Sequence, residues 1–181
     1  MRLVPLVLLV SLGLTRPAHA QSTPEAAAEA FGGAIIANDW PGAARLMHPD
    51  ALRVFRGLVE TFLDEPGAED VTRQLFGVGS TAELAATPDT VLFARLLKNA
   101  VASTPAASML SGASIKALGH LDQPGDTTLV VSRMTLPIDS LSITSYDLIP
   151  VLPYQGGYRT LLKADLTNLL TLLRARLARS S

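Results

Sequence analysis

The chain has 181 residues, 48% of them hydrophobic, with 15 basic and 16 acidic side chains and no cysteine. A formal charge of −1 supplies no field for steering nucleic acid or an acidic membrane surface, so nucleic-acid binding is set aside. Without thiols for disulfides, stability must come from the core, and a chain of this size suits one domain that buries about 68–70% of its unfolded surface.

The first twenty residues read as a cleaved signal peptide. Arg2 gives the positive start, residues 3–14 form an apolar run broken by Pro5 and Gly13, and Ala18-His19-Ala20 has the small-x-small form cut by signal peptidase. The predicted cut follows Ala20. The apolar run falls short of the ~20 residues a bilayer-crossing helix needs, so no transmembrane segment is expected after cleavage, and the expected location is periplasmic or secreted. The richness in Ala, Leu, Arg, Gly and Pro, with few Lys, suits a bacterial protein from a GC-rich genome.

From residue 21 the chain reads as helical, then as strand-forming. Thr23 caps a predicted helix over residues 24–38 that carries Pro24 at its first position and Glu25 beside the positive dipole end. Its expected apolar stripe is Ala27, Phe31, Ala34, Ile35 and Asn38. Gly32 and Gly33 each weaken it by roughly 1 kcal/mol relative to Ala, or permit close packing. Asp39 caps a short helix over residues 41–47, which His48-Pro49 ends. Asp50 is the expected cap of the next helix, where Leu52, Phe55, Val59 and Phe62 follow a helical period and Pro66-Gly67 closes the segment. The same period returns over residues 69–76 and 88–102. The stretch from about 64 to 107 therefore reads as helical.

After Pro105 the pattern changes. Residues 115–121, 129–136, 143–152 and 158–164 are β-rich runs separated by turn chemistry, including Gln123-Pro124-Gly125-Asp126 and Gln155-Gly156-Gly157. Each connection is too short for a crossover helix, so an antiparallel meander is expected, with Pro150 and Pro153 putting the end of the third strand at an edge or bulge. A leucine-rich helix is predicted over residues 166–177, with Arg174, Arg176 and Arg179 near its end. The fold class is α+β: N-terminal helices on a curved four-stranded antiparallel sheet, with a C-terminal helix, in a single domain.

The run from Thr23-Pro24-Glu25 through Asn38-Asp39-Trp40-Pro41 to His48-Pro49-Asp50 resembles the opening of domains in the NTF2-like (SnoaL-like, cystatin-type α+β) superfamily. Gly119, Val130-Val131-Ser132-Arg133 and Gly157-Tyr158-Arg159-Thr160 are similar to its usual sheet strands. The resemblance implies a cone-shaped pocket between sheet and helices but no particular reaction, because that scaffold carries isomerases, cyclases, epoxide hydrolases and members without known catalysis. The helical insert and terminal helix go beyond a minimal member.

Four residues are the pocket candidates: Trp40, His48, Arg133 and Tyr146. Tyr146 and Asp147 are strand neighbours that point to opposite faces, which weakens a Tyr/Asp acid–base pair. Asp147 is expected to meet solvent or a cross-strand arginine, Arg133 or Arg159. His48 beside proline and Asp50 is expected to hold the corner through backbone hydrogen bonds. No HExxH, Asp-rich loop, GxSxG elbow, P-loop or dinucleotide fingerprint is present, and no metal or cofactor is expected. The sequence favours a noncatalytic domain binding a small apolar ligand or a protein partner, a homodimer included. The alternative is a small isomerase, cyclase or hydrolase using acid/base residues in the cone.

Overall fold

The computed structural model describes residues 21–102, 110–138, 141–164, 166 and 168. The signal-peptide reading lies outside them, as does most of the predicted C-terminal helix, of which Leu166 and Asn168 are helical, and Ala164, expected at the end of the last strand, is helical too. Among the described residues six helices precede four strands, and the strands form one antiparallel sheet in the order β1-β2-β3-β4. This is the α+β meander expected from the turn spacing. None of the helices described is long and apolar enough to cross a membrane.

Local chemistry sets the helix starts. Thr23 Oγ1 accepts from the Ala26 N–H at 3.1 Å and opens α1 (Pro24–Ile36). Asp39 does the same for Gly42 at 2.8 Å and opens α2 (Trp40–Arg45). For α3 (Pro49–Leu63) the cap is His48 and not Asp50: the His48 Nδ1 accepts the Asp50 N–H at 3.1 Å. Pro49 has no N–H to offer and suits the first helical position, which shifts the cap two places earlier than the acid. Two helices follow, α4 (Glu69–Phe76) and α5 (Thr81–Ala86), and then α6 (Asp89–Ala102). The short α5 was not expected; Ser80 caps it by accepting from the Glu83 N–H.

The sheet comprises β1 (Ser114–Asp122), β2 (Thr128–Ile138), β3 (Leu141–Tyr154) and β4 (Gly157–Thr160). The last strand stops at Thr160 and not near 164: the Leu161 N–H still donates to the Pro150 carbonyl at 2.8 Å, but Pro150 has no N–H to return and the ladder ends there. β3 is an inner strand along most of its length, but its end from Leu152 to Tyr154 runs past the start of β2 and pairs with β4 alone, the edge expected there from its prolines. Pro150 turns its missing N–H toward the chain leaving β4, where its carbonyl accepts the Leu161 N–H but no donor returns, and Pro153 faces the side beyond the start of β2.

Two apolar cores result. On the sheet, Val130, Ile149 and Val151 meet Ala27 and Ala28 of α1. The expected α1 stripe is thus turned: small residues take the sheet, and Phe31 packs against the other core. That core joins α3 to the helical insert, with Phe55 edge-on to both Phe76 and Phe93 at centroid distances of 5.9 and 5.2 Å. Such edge-to-face pairs add to the burial of three aromatic rings.

α1 is also tied to the first strand by polar contacts. The Glu29 carboxylate accepts the Ala117 N–H at 2.8 Å beside the β-bulge between Ala117 and Gly119. Glu25 pairs with His120 Nδ1, and Asp122 lies 3.9 Å from the other ring nitrogen. The hydrogen bond to Glu25 raises the His120 pKa above its ordinary 6.5, and the same bond lowers that of Glu25 below 4.5. A raised histidine stabilises the fold below its unfolded pKa and loses that contribution as pH rises through the folded value. A lowered carboxylate contributes above its unfolded pKa and loses it as pH falls, so the pair contributes most between about 4.5 and 6.5.

Two predictions follow from α1. NMR titration should find His120 above 6.5, and Glu25→Gln should bring it back toward that value; an unmoved midpoint would show the contact to be idle. At the glycines the effects should diverge. A Cβ on Gly33 meets nothing within 4 Å, whereas one on Gly32 comes within 2.4 Å of Ile115 Cδ1 and 3.1 Å of its Cγ2. Urea unfolding should show Gly33→Ala stabilising by about 0.5–1 kcal/mol and Gly32→Val destabilising by about 1–3 kcal/mol.

Candidate functional site

The corner between α2 and α3 is built by the edge of β4. The Thr160 N–H donates to the Leu46 carbonyl at 3.0 Å, and the His48 N–H donates to the Thr160 carbonyl at 2.8 Å. Met47 and Thr160 thereby form a short parallel bridge. Arg159 adds a side-chain tie, with Nη1 donating to the Arg45 carbonyl at 2.8 Å while its guanidinium lies 4.5 Å from the Tyr154 ring centre. The His48 ring is buried here, edge-on to Tyr154 at 5.2 Å. Because Nδ1 accepts the Asp50 N–H, the neutral ring carries its proton on Nε2.

Above this corner a partly open cavity of about 180 Å³ lies between the two layers. Phe31 and Ile35 of α1, Phe93 and Leu97 of α6, and Ile149 of β3 form its walls, and Leu162 belongs to the segment that crosses it after β4. The lining is carbon apart from Lys163, whose ammonium reaches the Asp147 carboxylate. With both partners of this ion pair about a third exposed, the charge stays toward solvent and the interior stays apolar. A sealed apolar cavity of ~150 Å³ takes a benzene-sized guest, so by volume alone this partly open pocket has room for a single ring or a short alkyl chain.

The four candidate residues do not converge on that cavity. Arg133 and Tyr146 are cross-strand partners and do come together. They share the parity of Leu129 and Leu148, on the face opposite the buried Val130, Ser132 and Ile149, and Tyr146 is 67% exposed. There Tyr146 borders a shallow groove of about 470 Å³ with Val131 and Pro150. Trp40 lines a separate groove against α6. Tyr146 and Asp147 do point to opposite faces, and the partner of Asp147 is Lys163, not Arg133 or Arg159. Among the described residues no three of His, Asp and Glu gather as metal ligands.

The cavity residues Phe31 and Ile35 were legible as an apolar stripe, but their role was not. Leu161, Leu162 and Lys163 read as the end of a strand, and nothing local marked them as a cavity wall. The fold and site define an α+β domain with an apolar inter-layer cavity. No protein-family model matches the chain, and comparison with curated proteins and with solved structures finds no match.

The capping geometry gives a test of His48. His48→Ala should cost about 1–2 kcal/mol in urea unfolding, and His48→Asn should recover most of it by supplying another cap acceptor. Equal losses in both variants would show that ring packing on Tyr154, not the cap, is what the corner needs.

Proposed function

We propose that the protein is an exported, noncatalytic domain of the NTF2-like type that holds a small apolar ligand between its helices and sheet. The observation that carries this reading is the carbon-lined cavity of about 180 Å³ between Phe31, Ile35, Phe93, Leu97 and Ile149. The sequence resemblance, which implies a pocket between sheet and helices, supports the same reading. The N-terminal sequence supports export, and the run of helices followed by a meander supports the superfamily.

The same lining weighs for binding over catalysis. An acid–base enzyme of the isomerase type needs at least two polar groups convergent on the substrate. Here the one ionisable group of the lining is Lys163, already engaged with Asp147. A guest of this size gains only its buried apolar area, at ~25 cal/mol per Å², so an affinity of about millimolar is expected for a bare ring and tighter binding for a natural ligand that fits the walls.

Native mass spectrometry of protein isolated from its host should show an adduct lost on denaturation, and toluene should shift the methyl resonances of Ile35, Leu97 and Ile149. Ile149→Trp should fill the space and abolish both signals while the protein stays folded by circular dichroism. Toluene shifts that persist in that variant, or that fall elsewhere on the molecule, would overturn the cavity as the site.

A further inference from the structure

The groove between α2 and α6 has a different chemistry from the cavity. It measures about 490 Å³ and is floored by Trp40 and Pro41 of α2 and Val91 of α6. Three cations stand around it, Arg45, Arg95 and Lys98. Val91, Arg95 and Lys98 are spaced at four and three residues, so α6 turns one face, apolar at one end and cationic at the other, toward α2.

These cations lack carboxylate partners among the described residues. Asp89, next to the groove in sequence, is held by Arg56. Asp39, beside Trp40, accepts the Gly42 N–H as the α2 cap. Arg95 spends one N–H on the Gly77 carbonyl at 3.2 Å, which fixes its position without neutralising it. Three like charges around an apolar floor, on a chain of net charge −1, form a local field that an anion would relieve.

We propose that this groove binds a small organic anion with a planar apolar body, in class an aryl-alkyl carboxylate. The ring would lie against Trp40 and Val91, and the carboxylate would reach Arg45 and Lys98. The volume falls within the ~300–1,000 Å³ of small-molecule sites, and an apolar floor with a few placed charges is their usual composition. The site is separate from the inter-layer cavity and stands or falls independently of it.

Trp40 is the only tryptophan, so its emission reports on the groove directly. The purified protein is titrated with 4-phenylbutyrate, with its neutral amide and with 4-phenylbutylamine, and the same titrations are followed by amide NMR. The carboxylate should change Trp40 emission saturably, shift resonances of α2 and α6, and bind about tenfold more tightly than the amide. Arg45→Gln with Lys98→Gln, two exposed side chains whose loss leaves the packing intact, should reduce the carboxylate to the affinity of the amide. Three compounds binding alike, or none reaching saturation at millimolar concentration, would overturn the proposal. So would carboxylate shifts confined to Phe31, Leu97 and Ile149, because that ligand would have entered the cavity instead.

Discussion

The edge of β4 is the constraint on which the rest of the architecture depends. A four-residue strand would be a weak sheet margin, with its outward N–H and C=O groups open to solvent or to another chain. Here those groups are used within the chain: Tyr158 donates to the Gln21 carbonyl, Thr160 donates to Leu46, and His48 donates back to Thr160. Three backbone bonds therefore fasten the start of α1 and the α2–α3 corner to the same short strand. The helical half cannot slide on the sheet without breaking them, and each broken bond would leave a partly buried polar group unsatisfied.

That attachment explains where space is left. α1 reaches the sheet closely because Ala27, Ala28 and Gly32 present almost no side chain there. The insert helices take no such position; they pack around Phe55, Phe76 and Phe93 as a second core beside the first. Where the two cores adjoin, the bulky residues of α1 and α6 and the chain leaving β4 meet without filling the volume, and the apolar cavity is the remainder. The α2–α6 groove arises from the same division, as the outer seam between the corner and the insert.

The candidate residues show what a single strand pattern leaves open. In β2 the run Leu129, Val130, Val131, Ser132 is apolar on both parities, so alternation alone does not select the buried face. Packing of α1 on Val130 and Ser132 selects it, and Arg133 with Tyr146 is left outward. The prolines of β3 mark missing donors near its one-sided end, but which ladder each one closes depends on where the neighbouring strands begin and end, which β3 does not encode.

By itself, the sequence determined the α+β class, the order of helices before strands, the meander and most helix starts, since caps, turn residues and hydrophobic period act over a few residues. Even there, the choice of His48 over Asp50 as a cap followed from the local effect of Pro49. The tertiary structure alone decided which faces meet, that β4 ends at Thr160, that Asp147 finds Lys163, and that Trp40 shares a groove with Arg95 and Lys98. Those outcomes depend on contacts between segments far apart in the chain, whose energies come from shared buried area and matched polar groups and are absent from any one segment.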